Sequence, residues 1–178
     1  SMYPIILPEK EIKLIGDKNP VYSISARNVY KLYPEAKYIH LQRDYRAHIL
    51  SMLNAGLYAK DIVALAYRWK YSAKILNKLK RYHPESFYSI KYEELVNNPE
   101  KHMTDICKFL GIEFTSDMIN YHIKLNEKYK EIEEVIEEHH KRVFKPIDAS
   151  RIDSWKTELT TYQIKTADYV VEEWADFE

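Results

Sequence analysis

Three observations on this 178-residue chain predict a helix-rich α/β fold built on a small parallel sheet. Short runs near residues 12–15, 37–43 and 86–92 have strand character, the last two through period-two alternation. Longer runs between them carry apolar residues three and four positions apart, the spacing of helices buried on one face. Parallel neighbours need a crossover, so strands alternating with helices favour a parallel sheet flanked by helices. The length suits one domain, residues 1–178.

Taken in order, residues 3–10 (YPIILPEK) form an extended apolar lead held by two prolines. Gly16 to Pro20 is a loop by its turn residues. Ser23 or Ser25 caps a short helix to Tyr33, with Ile24, Val29 and Leu32 inward, and Pro34 stops it. After the strand at 37–43, a helix from about Arg46 to Leu57 presents Ile49, Leu50, Leu53 and Leu57. Asp61 caps a longer helix to about Tyr82, with Ile62, Leu65, Ala66, Trp69, Ile75 and Leu79 inward, and Pro84 breaks it. The aromatic run 86–92 is the next strand, and Glu93-Glu94-Leu95 turns away from it. Asn98 caps and Pro99 opens a helix with Met103, Ile106, Cys107 and Leu110 buried and Gly111 as its C-cap. Residues 117–140 continue as helix and end in a charge run that suits a solvated face. Residues 144–154 form a loop around Pro146, and a last helix covers about 160–177. Trp155 and Trp174 fit core or helix-entry positions.

Composition excludes several classes. Apolar residues make up 46% and charged residues 30%, as in a soluble globular chain. The 27 basic and 27 acidic residues balance, which argues against a long nucleic-acid groove but leaves room for a local anion site. Three glycines leave no place for a glycine-rich phosphate loop among these residues. One cysteine, Cys107, excludes an intramolecular disulfide and favours the cytoplasm. No apolar run reaches membrane-spanning length, no signal-peptide pattern is present, and Ser1-Met2 has the look of an expression remnant. The adjacent His139 and His140 point in different helical directions with no third ligand at zinc spacing, so no metal is expected.

Function concentrates in residues 37–51, KYIHLQRDYRAHILS. A strand runs into Arg43, a helix begins at once, and Ser51 lies on it. A guanidinium beside a helix N-terminus suits a phosphate or sulfate. The plainer reading pairs Arg43 with a surface carboxylate. Ligands of open α/β sheets bind beyond the carboxyl ends of the strands. Lys18, Arg43 and Tyr92 each fall at or just past such an end, so three separate stretches converge on one edge.

Four segments, in order, resemble the sulfotransferases that use 3′-phosphoadenylyl sulfate (PAPS): GDKNP (16–20), PEAKYIHLQRDYRAHILS (34–51), IKYEELVNNPEKHMTDICKFLGIEF (90–114) and SRIDSWKTEL (150–159). The resemblance implies a P-loop nucleotide-kinase-like architecture and transfer of a sulfuryl group to a hydroxyl or amine acceptor. It implies that Arg43 and Ser51 hold the 3′-phosphate, that Tyr92 lies by the adenine, and that Arg151 belongs to a late loop over the nucleotide. Lys18 would reach the sulfuryl group, and Asp17 is the acid in the same loop available as base. PAPS would be the donor and adenosine 3′,5′-bisphosphate (PAP) the product, with no nucleic acid and no membrane involved and a homo-oligomer possible.

The chain also departs from that pattern. The family's 5′-phosphosulfate loop belongs before residue 1, so the resemblance implies the C-terminal part of a larger domain. Asn19-Pro20 stand where some relatives carry a histidine. Two other readings therefore stand beside the enzyme. One is a nucleotide-binding or scaffold module without turnover. The other is a purely helical interaction protein using 117–140.

Overall fold

The structure, a computed structural model, describes residues 14–56, 60–133 and 144–173. Its sheet pairs β1 (Tyr38–Gln42) with β2 (Phe87–Lys91) in parallel, Tyr38 opposite Phe87 and Gln42 opposite Lys91. Helix α1 (Ala26–Leu32) precedes β1, and between the two strands α2 (Tyr45–Ala55) and α3 (Ile62–Tyr82) make the crossover. After β2 come α4 (Tyr92–Asn97), α5 (Pro99–Leu110), α6 (Tyr121–Glu133), α7 (Trp155–Glu158) and α8 (Thr161–Asp168). A π-helical turn, Tyr169–Glu173, extends α8. The architecture is α/β and helix-rich, as the alternation of patterns predicts, and its parallel sheet eliminates the purely helical reading.

The sheet is covered unequally. Tyr38 and Phe87 stack at 4.8 Å, and Tyr30 of α1 packs beside both, itself stacked on His83 at the end of α3. On the other face Tyr88 meets Phe109 of α5, and the Lys37 amino group donates to the Phe109 carbonyl. Ile39 and Leu41 on that side stay 44% and 48% exposed. The main core lies away from the sheet, where Tyr45 and Ile49 of α2, Leu65 and Ala66 of α3, Ala167 of α8 and Val170 of the π turn interlock. Apolar burial of this kind is the principal term favouring the fold.

Local chemistry explains most boundaries. Asp44 and Asp61 accept from the amides two and three residues ahead and start α2 and α3. Gly56 and Gly111 end α2 and α5 with φ of 64° and 76°, the left-handed region open to glycine. Thr160 and Gln163 form a reciprocal capping box at α8.

Four expectations are corrected. Leu14 and Ile15 are exposed and carry no strand, while residues 12 and 13 of that stretch lie outside the described residues. Leu32 is 73% exposed, because α1 is two turns long and spends its buried position on Ala26. Glu93 to Leu95 are helical, within α4. Asn98 stands at the start of α5 without bonding its amides, so Pro99 sets that start. Residues 3–10, Leu57, His139, His140 and Trp174 lie outside the described residues.

Candidate functional site

Arg43 leaves the carboxyl end of β1 and is anchored through its backbone. The indole Nε1 of Trp69 on α3 donates to the Arg43 carbonyl at 3.0 Å. Its guanidinium lies over the ring of Tyr92, the first residue of α4, at 4.8 Å from the ring centre. That contact has the geometry of a cation on an aromatic face. The predicted convergence therefore holds for Arg43 and Tyr92, which the parallel register brings to one sheet edge. Among the described residues Arg43 has no carboxylate partner, against the surface-pair reading. Its Nε is buried and makes no hydrogen bond there. A buried donor without a partner is costly, which marks the position as one poised for a ligand.

The start of α2 is less open than the sequence suggests. The Asp44 carboxylate occupies the first helical amides itself, accepting from Arg46 N at 2.8 Å and Ala47 N at 3.4 Å. Glu93 in turn accepts from the Asp44 amide at 3.0 Å. Burial pushes the Asp44 carboxyl upward, but Arg46's hydrogen bond and charge and the two amides outweigh it and hold it below the usual range. An anion beside Arg43 thus has to use side chains rather than the helix N-terminus. Ser51 is half-buried in the second turn of α2 and makes no side-chain hydrogen bond among the described residues. His48 lies three residues before it, on the same helical face. Burial, Arg43 and Arg68 push His48 down to about 4, so its imidazole is neutral at pH 7.

An open cleft of about 600 Å³ lies against this edge. Four cations line it: Arg43, Arg46, Lys91 and Lys156. Two of them are paired. Arg46 binds Asp44 at 2.8 Å, and Lys156 binds Asp153 at 2.9 Å. Arg43 and Lys91 face the cleft without a carboxylate partner among the described residues, against one carboxylate, Glu93, that accepts from the Asp44 amide, so the lining stays net positive and suits an anion. Trp155 forms one wall, with the Arg46 guanidinium 4.0 Å from its ring centre. Arg46 also reaches Asp168 at 3.9 Å, so it ties the late segment and α8 to the head of α2.

Of the predicted site residues Arg43 lines the cleft, while Tyr92 and Ser51 lie beside it outside the lining, and the others lie elsewhere. Lys18 is exposed and outside the cleft lining. Asp17 accepts from the Tyr22 hydroxyl at 2.6 Å, and Asn19 caps the short turn Pro20–Ser23. Arg151 pairs with Glu158 at 3.4 Å, and Ser150 bonds Asp148, both off the cleft. The residues the sequence reasoning left unmarked are His48, Arg46 and Lys91. Helical spacing from Ser51 was the available signal for His48, and a place beside Tyr92 near the end of the predicted strand 86–92 was the signal for Lys91. Among the described residues no cluster of three metal-ligating side chains occurs, and no helix is long and apolar enough to cross a membrane.

Comparison with known proteins places the chain in a family. The profile of the Sulfotransferase family matches residues 5–116. A putative protein-tyrosine sulfotransferase of Caenorhabditis briggsae is 26% identical over 111 residues, covering 60% of this chain and 40% of that protein. Protein-tyrosine sulfotransferase 2 of Gallus gallus is 27% identical over 150 residues, covering 80% of this chain and 40% of that protein. The chain thus spans about two fifths of the length of these curated relatives. Among solved structures, the sulfotransferase domain of the Synechococcus PCC 7002 olefin synthase superposes with a TM-score of 0.71 at 24% identity. The superposition covers 98% of this chain and 64% of that one. The sulfotransferase domain of the curacin biosynthetic pathway gives 0.62 at 21% identity, covering 98% and 68%. A parallel α/β fold and a profile match across most of the chain lead to one conclusion: the chain belongs to the sulfotransferase family.

Proposed function

We propose that the chain carries the nucleotide-gripping part of a sulfotransferase that moves a sulfuryl group from PAPS to a hydroxyl or amine acceptor. The observation that carries this reading is Arg43: a guanidinium stacked on Tyr92, with a buried Nε that has no partner among the described residues. Arg43 and Ser51 bind the 3′-phosphate through charge-assisted and hydroxyl hydrogen bonds. One face of Tyr92 carries Arg43, and the adenine stacks by that ring. Trp155 and the segment around Arg151 border the nucleotide from the late part of the chain.

In the transfer, an acceptor oxygen or nitrogen attacks sulfur in line with the bridging oxygen. The bond from sulfur to that oxygen breaks, PAP leaves with the electron pair, and the acceptor's proton passes to a base. Lys18 offsets charge on the departing phosphate, and Asp17 is the base within its loop. The names of the curated relatives make a tyrosine hydroxyl the first acceptor to try. The second reading, a nucleotide-binding module without turnover, is favoured by the Asp17–Tyr22 bond and by the position of Lys18 outside the cleft lining.

Calorimetric titration with PAP tests the shared part of both readings. Arg43→Ala should weaken binding about 10- to 100-fold, the loss of a charge-assisted contact. Equal affinity in the variant, or no heat from the native protein, refutes the nucleotide site. Transfer of labelled sulfate from PAPS to a tyrosine peptide decides for the enzyme over the module.

A further inference from the structure

On the reading of Arg43 as a phosphate ligand, we propose that His48 is a third ligand of the same phosphate, and that nucleotide binding places a proton on its imidazole. His48 sits one turn after Asp44 and one turn before Ser51, on the face of α2 that carries Ser51. Its ring is half-buried and makes no hydrogen bond, ion pair or ring contact among the described residues. Three side chains with unused hydrogen-bonding capacity therefore follow one another from the strand end along the helix: Arg43 through Nε, His48 through its ring, and Ser51 through Oγ.

The surrounding charges give the direction of the effect. Burial first, then Arg43 at the foot of α2 and Arg68 of α3, keep the imidazole neutral. The carboxylates on the elements packed against α2 are engaged elsewhere. Asp44 bonds Arg46, Asp168 and Glu172 accept from Tyr45, and Glu158 meets Asn54 and Arg151. A phosphate monoester seated at Arg43 offsets that guanidinium's charge. The imidazolium form then gains an acceptor and presents two N–H donors instead of one. A ligand that binds the protonated form more tightly raises that group's pKa, and its own affinity rises as pH falls.

The test follows His48 by its imidazole carbon–proton NMR signals in the full chain, with and without PAP, and measures affinity by calorimetry from about pH 5.5 to 8. In the free protein His48 should stay neutral across this range. In the PAP complex it should titrate near its ordinary value of about 6.5. Native affinity should then rise about tenfold from pH 8 to 5.5 relative to His48→Gln. The phosphate's own second ionisation is common to both proteins and drops out of that ratio. Adenosine 5′-monophosphate, which lacks the 3′-phosphate, should leave His48 neutral. PAP binding with an unmoved His48 signal overturns the proposal and leaves the Arg43 site standing. An equal response to the monophosphate also overturns it, and absence of PAP binding removes both.

Discussion

Tyr45 places one hydroxyl between two carboxylates, Asp168 at 2.8 Å and Glu172 at 2.7 Å, while its ring is 8% exposed in the core. Burial first, then the bonds to Glu172 and Asp168, push its phenol above the ordinary tyrosine range. The sign follows directly. The folded protein holds this proton more tightly than the unfolded chain, so the contribution is complete below about pH 10 and declines as pH rises above it. Tyr45→Phe should cost about 1–2 kcal/mol at neutral pH, a charged-acceptor bond with partly solvated carboxylates. It should also flatten the alkaline decline, as read by urea unfolding at neutral pH and above about pH 10. A parallel loss in both proteins would show that the hydroxyl is not the titrating group. At this scale the meeting of Arg43 and Tyr92 was legible in the sequence, because each directly follows a strand. The sequence showed His48 poorly, because the charges acting on it come from Arg43 and from Arg68, twenty residues away on another helix.

Among elements, α3 was the most legible. Asp61, the apolar spacing from Ile62 to Leu79 and Pro84 state its start, buried face and end, and the helix runs Ile62–Tyr82. Its last turn carries Lys80 and Arg81, favourable toward the helix dipole. Asp61 accepts from Val63 N at 2.8 Å and Ala64 N at 3.2 Å. Asp61→Ala should therefore lower stability by about 1 kcal/mol in thermal unfolding, and Asp61→Asn by much less. Equal losses would assign the effect to charge rather than capping. Short elements were less legible. Pattern fixes a two-turn helix such as α1 weakly, because tertiary contacts decide which side is buried, and Leu32 ended outward. The π turn at Tyr169–Glu173 left no sequence mark, since no proline or glycine accompanies it.

Across the whole molecule, Trp69 joins the core to the cleft. Its ring packs on the core cluster and lies 5.5 Å from Tyr45 at 60°, while its Nε1 holds the Arg43 carbonyl. The apolar spacing of α3 placed Trp69 in the core, which is half of its position. The indole N–H aimed at a strand end twenty-six residues earlier was not visible, because it depends on how the crossover closes. Trp69→Phe keeps most of the apolar contact and deletes one partly buried hydrogen bond, so stability should fall by about 1–2 kcal/mol. The larger consequence is positional. Without the indole, the backbone at Arg43 loses the fixed point that holds the guanidinium over Tyr92, and PAP affinity should fall about 3- to 10-fold. Calorimetry on Trp69→Phe beside Arg43→Ala measures this. A Trp69→Phe protein that is less stable yet binds PAP with native affinity would mean that β1 and Tyr92 alone position Arg43. A loss of affinity in a folded variant would mean that the site is held from the core side of the sheet edge, through α3.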